Sequence, residues 1–351
     1  MRILVLRTLY PHWGGHSGFN QFLRYLDPKE YDVEILEVPD NDEVFPLRNQ
    51  RVRNQLMKRV RRKGMPWYKL SDLTAEMKAL RRCWLGKIDI VHFLDGEHSP
   101  QFLPRILKWS PGGHPKIMVT YHQPRDLLPS LTRDEVIRRL DFITVVSPEQ
   151  MPYFLSVVGP RRVRSIPHGI DIDYFRPGTK PDSKNFRCIT VGHYLRDFSV
   201  FREVANRLRS HEEIEFHLVS SRVSGLENGT NVILHRNIDD DQLLSLYQQS
   251  DILFLPLMNS TANNSLLEGI ACGLPVVSTR LSSVRSYLSG EEGILVEGSD
   301  PERFSQAILF LLNNPAQRAA MARQARKRAE ELDWRNIAPQ YGAVYSQLMR
   351  G

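Results

Sequence analysis

The stretch Asp251–Ser278 constrains this chain more than any other. Asp251-Ile252-Leu253-Phe254-Leu255-Pro256 is a short apolar run, long enough for a buried strand and too short for a helix. A polar loop follows, in which Asn and Ser supply capping chemistry, and Ser265 to Ala271 reads as a short helix. Gly273 and Pro275 stop that helix, and Val276-Val277 opens another strand. In a parallel α/β sheet this order sets the carboxyl end of a strand beside a helix N-terminus, which cradles anions. The backbone N–H groups of Asn264 and Ser265 fall at that N-terminus. Glu268 lies about one turn inside, in a helix otherwise made of Leu266, Leu267, Ile270, Ala271 and Cys272. A helical Glu is usually a solvated surface residue, but here burial is expected, and a buried carboxylate is costly without a partner. From this position it reaches past a bound diphosphate towards the sugar of a nucleotide, which suggests a nucleotide-sugar site.

The segment Leu266-Leu267-Glu268-Gly269-Ile270-Ala271-Cys272-Gly273-Leu274-Pro275-Val276-Val277 resembles the signature of retaining GT-B glycosyltransferases of family 4. The pattern there is E-x7-E, then a small-residue helix and G-x-P-V-V. The resemblance implies that Glu268, as the second Glu, holds the ribose hydroxyls of a donor nucleotide. The first Glu falls at position 260, where this chain has Ser260. With no charge at Ser260, Asn259, Ser260 and Asn263 are expected to meet the transferred sugar through neutral hydrogen bonds.

The chain of 351 residues, 41% hydrophobic and 25% charged, has ordinary globular composition and the length for two domains. No apolar run approaches a membrane span. Met1-Arg2-Ile3-Leu4-Val5-Leu6 lacks a small-residue cleavage site and reads as a first strand. Cys83, Cys188 and Cys272 form no CxxC pair, so neither a disulfide framework nor structural zinc is expected, and a cytoplasmic setting is the default.

Strand-like and helix-like segments alternate through the N-terminal half, which predicts a parallel sheet covered by helices. Ile3–Leu6 leads into Pro11-His12-Trp13-Gly14-Gly15-His16-Ser17-Gly18. A glycine-rich turn there admits a ligand close to the backbone, although a plain tight turn explains it equally well. Its position is similar to the Gly-Gly loop of the family, which implies donor contact at Gly14 and Gly15. Further strands are expected at Val33–Leu36, Ile88–Phe93, Lys116–His122, Phe142–Val146 and Val163–Ile166. The stretch His92–His98, at the end of the strand Ile88–Phe93 and in its loop, carries two His and two carboxylates, but its spacing fits no helical His pair, and no metal site is read there. Pro167-His168-Gly169-Ile170-Asp171 begins a turn-rich linker resembling the hinge of the family, with His168 in place of the usual Asn.

Cleaving a sugar from a diphosphate builds charge on the leaving oxygen, so fixed cations and amide dipoles belong beside it. Arg196, in the loop after the strand Phe186–Val191, is the candidate clamp, because a guanidinium grips phosphate oxygens in a fork. The alternative is a surface pair with Asp197, worth little. The family carries an Arg at the position of His193, so the resemblance spreads donor contact over Gly192, His193 and Arg196, and over Leu266 beside Glu268. His122 ends its strand; a lone His there is more often a structural hydrogen-bonder, and the resemblance makes it a catalytic residue with Arg196 and Glu268.

The expected architecture is therefore GT-B: two Rossmann-like doubly wound parallel-sheet domains facing across a cleft. The divisions are 1–166, a linker 167–185, 186–333, and a terminal helix 334–351 packing back on the first domain. The expected reaction moves a sugar from a nucleoside diphosphate donor to a glycan or lipid-linked acceptor hydroxyl with retained configuration, without a cofactor or metal. An inactive GT-B subunit and a nucleotide-sugar epimerase are the alternatives. Eight basic residues and no acidic one lie between Arg48 and Lys63; taking them from the net +7 leaves −1 for the rest. Val52, Leu56 and Val60 form a narrow apolar stripe there, and Trp67 and Tyr68 follow. A helix packed on its own domain with a solvated basic face is one reading; peripheral attachment to an anionic membrane surface is the other. The family fold gives no reason to expect nucleic acid.

Overall fold

The computed structural model describes residues 1–10, 14–41, 45–63, 65–109, 114–180, 184–223, 225 and 231–350, the side chains of 61–63 excepted. The chain divides into two compact units. The first comprises Met1–Trp13, Phe19–His168 and Arg335–Gly351, the second Gly14–Gly18 and Gly169–Trp334. The segment Pro11-His12-Trp13 and Gly64, which the sequence marks as the end of the basic helix, lie outside the described residues.

In the first unit six strands run parallel: β1 (Arg2–Leu9), β2 (Asp32–Pro39), β3 (Ile90–Phe93), β4 (Lys116–Tyr121), β5 (Phe142–Val145) and β6 (Val163–Ser165). Their order is β2-β1-β3-β4-β5-β6. Strands β3 and β5 are buried along their whole length, as expected where helices cover both faces of a parallel sheet. Leu4, Leu6, Phe93, Val119, Ile143 and Val145 form the sheet side of one core. The segment after β1 forms a 3-10 run, Phe19–Tyr25. On the helix Leu70–Leu85, buried Glu76 accepts the N–H groups of Gln101 (2.7 Å), Phe102 (2.8 Å) and Leu103, capping the start of Leu103–Leu107. From Arg335 on, the helix Trp334–Arg350 belongs to this unit. Its Tyr345 hydroxyl lies 2.7 Å from His92 Nδ1, and its Tyr341 ring packs 4.4 Å from Phe22. Burial pulls the His92 pKa down to about 3, so that imidazole is neutral.

The basic segment forms the helix Gln50–Lys63. Its apolar stripe is partly used inside the unit: Val60 is buried with Met65 and Tyr68, and Leu56 packs against them. Tyr68 is fully buried, so this aromatic belongs to the core and not to an exposed belt. Val52, Arg51, Lys58 and Arg59 remain exposed; the side chains of Arg61, Arg62 and Lys63 lie outside the description. Among the described residues no helix is long and apolar enough to cross a membrane.

The second unit is also a six-stranded parallel sheet: β7 (Phe186–Val191), β8 (Ile214–Val219), β9 (Val232–His235), β10 (Ile252–Leu255), β11 (Val276–Thr279) and β12 (Gly293–Val296). The order β12-β11-β10-β7-β8-β9 puts β7, first in the chain, beside β10 at the centre. The winding direction reverses between these two strands. In open α/β sheets the crevice beyond such a reversal is where ligands bind.

Candidate functional site

The carboxyl ends of β7 and β10 are tied together at this reversal. Asp197 donates its N–H to Pro256 O at 2.9 Å, and Met258 donates to Leu195 O at 3.0 Å. The helix Asn264–Ala271 starts from the β10 side. Asn263 is its N-cap, its side-chain oxygen accepting the Leu266 N–H at 3.3 Å. The N–H groups of Asn264 and Ser265 thus stand in the first turn of a helix at a strand end. The side chain of Leu266 is buried and its N–H is used by the cap.

Arg196 is the central cation. It is buried, which sets aside the alternative of a surface pair with Asp197. Nε and Nη2 donate to Val191 O at 3.0 and 2.9 Å, Nη1 to Tyr194 O at 3.1 Å. Nη2 also reaches Asn263 Oδ1 at 3.2 Å and Ser265 Oγ at 3.0 Å. The guanidinium therefore ties the end of β7 to the N-cap of the helix. Burial lowers its pKa to about 10, which leaves it charged near neutrality. Gly192, with φ +89, turns the chain just after β7 in a conformation that favours glycine, and a Cβ there would come 3.2 Å from Arg196 Nη2. The neighbouring His193 is half-buried.

Glu268 is buried, and both oxygens have partners. Oε1 accepts from Ser17 Oγ at 2.6 Å, and Oε2 from Tyr247 Oη at 2.8 Å. Burial raises its pKa, against the two hydroxyl hydrogen bonds that lower it. Ser260 is buried as well; its N–H goes to Asn259 Oδ1 at 2.8 Å and its hydroxyl to Thr261 O at 3.3 Å. Gly14 and Gly15 belong to this unit and lie against Asp240. Six of the twelve donor-site expectations (Arg196, Asn263, Asn264, Ser265, Leu266 and Glu268) come together at the start of one helix. Ser17, Tyr247 and Asp240 were not expected from the sequence. A Tyr on the apolar side of Asp240–Gln249 does carry a signal, because a buried phenol needs a hydrogen-bond partner.

His122 lies in the first unit, after β4. Its Nε2 is 2.6 Å from Leu94 O, and its N–H goes to Glu97 Oε1 at 2.7 Å. Its ring stands edge-on to Phe19 at 4.9 Å. Glu97 is buried and also accepts the Gln123 N–H at 2.7 Å, so this carboxylate fixes the turn that presents His122. Among the described residues no cluster of three or more His, Cys, Asp or Glu is placed to hold a metal ion.

Two family models match the chain: Glycosyltransferase Family 4 over residues 14–174 and Glycosyl transferases group 1 over residues 185–314. A D-inositol 3-phosphate glycosyltransferase of Catenulispora acidiphila is 23% identical over 248 residues, covering 62% of this chain and 59% of its own. The chain spans between 26% and 59% of the length of several curated relatives of that description. Sucrose-phosphate synthase from Thermosynechococcus elongatus superposes with a TM-score of 0.73 at 18% identity, over 99% of each chain. The Anabaena protein HepE, in complex with UDP, gives 0.67 at 13% identity over 99% of this chain and 100% of its own. With both units Rossmann-like, the fold is GT-B, and the chain belongs to the group 1, family 4 glycosyltransferases.

Proposed function

We propose that this protein transfers a sugar from a nucleoside diphosphate donor to an acceptor hydroxyl with retention of anomeric configuration. The observation that carries the reading is the buried Glu268 one turn into a helix whose N-terminus meets the Arg196 guanidinium at the β7/β10 reversal. Amide dipoles of Asn264 and Ser265 and the charge of Arg196 would stabilise the leaving diphosphate, with no metal ion in this role. Arg196 acts here mainly by fixing the cradle, since most of its donors are committed to Val191, Tyr194, Asn263 and Ser265. Glu268 would accept ribose hydroxyls, and His122 would serve at the sugar. The UDP complex of the Anabaena neighbour makes UDP the first base to try. The acceptor is a glycan or a lipid-linked hydroxyl, reached from an anionic surface that the exposed face of Gln50–Lys63 attracts.

A thermal-shift series with UDP, GDP and ADP tests donor binding, because a ligand that binds only the native state raises its melting point. Anomer-resolved NMR of the product then tests retention. No shift with any of the three nucleotides, or a product of inverted configuration, would remove the corresponding part of the reading.

A further inference from the structure

Three consecutive residues of the second unit each hydrogen-bond a different carboxylate. Gly15 donates its N–H to Asp240 Oδ2 at 2.7 Å. His16 Nδ1 lies 2.9 Å from Asp171 Oδ2, and its ring lies flat on Tyr174, with centroids 3.6 Å apart and planes at 2°. Ser17 donates its hydroxyl to Glu268 Oε1 at 2.6 Å. Gly14 makes room for the first contact, since a Cβ there would come within 2.1 Å of Asp240 Oδ1.

Two of these contacts hold groups that a nucleoside diphosphate would use. A main-chain N–H in a glycine-rich turn is an anion donor, and here an internal carboxylate occupies it. A buried carboxylate on the helix Asn264–Ala271 is an acceptor for sugar hydroxyls, and here a serine hydroxyl fills it. Resting on the nucleotide-sugar reading above, we propose that Asp240 and Ser17 are built-in stand-ins for the diphosphate and for a ribose hydroxyl. Donor binding displaces both contacts.

The stand-ins answer a physical need. Without them the Glu268 carboxylate would have one hydrogen bond fewer in a buried setting, which is costly. Neither displacement leaves a carboxylate without a favourable interaction. Asp240 is the first residue of the helix Asp240–Gln249, where its charge faces the positive end of the helix dipole. Glu268 keeps the Tyr247 hydroxyl when Ser17 leaves. The exchange lowers donor affinity, because a ligand gains only the difference between its own contacts and those it replaces. Asp240 and Ser17 thereby set how much donor the site requires, and the two act on different parts of it.

Calorimetric titration with UDP, GDP and ADP, and with the matching bare nucleosides, tests the inference on wild type, Ser17→Ala and Asp240→Ala. Losing one competing hydrogen bond should tighten nucleoside diphosphate binding about threefold to tenfold in each variant. Asp240→Ala should leave nucleoside affinity unchanged, whereas Ser17→Ala should tighten the nucleoside as well. A thermal melt of each variant confirms that it is folded. If wild type binds a nucleoside diphosphate and either variant binds it equally or more weakly, the inference is overturned and the functional reading stands. Absence of nucleotide binding in all three proteins removes both.

Discussion

The Tyr247 hydroxyl donates to Glu268 Oε2 at 2.8 Å, with both side chains buried behind the first turn of the helix Asn264–Ala271. The phenol comes from a different helix, Asp240–Gln249, so the two helices fix where the carboxylate points. Tyr247 itself stays neutral, since burial and the adjacent Glu268 raise its pKa. The carboxylate can then accept from a ligand only on the side away from Tyr247.

Glu268→Ala should weaken nucleotide binding and transfer together, because a hydrogen bond to a charged group contributes about 1.5–3 kcal/mol. Tyr247→Phe should give a smaller loss of binding with a larger fall in kcat, as a carboxylate left to reorient would do. Calorimetry and initial rates measure both; a folded Glu268→Ala with wild-type affinity and turnover would show that the residue does not meet the donor.

Arg196→Ala should hurt binding of a nucleoside diphosphate far more than that of the nucleoside, and should also lower the melting temperature. Arg196→Lys should rescue little, because a point ammonium cannot span Val191 O, Tyr194 O, Asn263 Oδ1 and Ser265 Oγ as the planar fork does. Equal losses for both ligands would argue that Arg196 does not shape the phosphate side.

Ser260 is buried with its hydroxyl on Thr261 O, so Ser260→Glu puts a charge at a buried position where the native side chain is neutral. Donor preference should change or the rate should fall. Unaltered rates across a panel of UDP-sugars would mean that position 260 does not read the sugar.

The helix Gln50–Lys63 should bind anionic vesicles at low salt and leave neutral ones alone, with binding lost as ionic strength rises. Arg51, Lys58 and Arg59 are exposed on it, and replacing the three by Gln should abolish vesicle binding while nucleotide affinity is kept. Cosedimentation measures this. Wild-type protein that ignores phosphatidylserine vesicles at low salt would point to a soluble acceptor.

Burial pushes the Asp72 carboxyl from its ordinary 3.8 up to about 8; its Oδ2 accepts the Lys69 N–H at 2.7 Å. Its folded pKa is raised, so the native state holds a proton that the unfolded chain has released. The stability it contributes is full below about pH 4 and is lost as pH rises through about 8. Asp72→Asn should flatten that decline, seen as a melting temperature that rises relative to wild type across this window. Parallel pH profiles for the two proteins would show that Asp72 is ionised in the fold.

The sequence by itself determined the local grammar of this protein. The apolar run Ile252–Leu255, the Asn263 cap, the short apolar helix and the Val276–Thr279 strand are all set by residue types within one stretch. The Asp239–Gln242 capping box is equally local. The burial of Glu268 was legible too, since its helical neighbours are apolar on every side. What only the tertiary structure decided was which partners answer the buried groups. Ser17 is 251 positions from Glu268, and Asp240 is 225 from Gly15, so no spacing rule could pair them. The same holds for Arg196. Its sequence context beside Asp197 suggests a surface charge, yet the β7/β10 reversal draws it under the N-cap of a helix 67 residues away. Charge and cap chemistry are properties of residue type, whereas desolvation and hydrogen-bond completion depend on which strands the fold sets side by side.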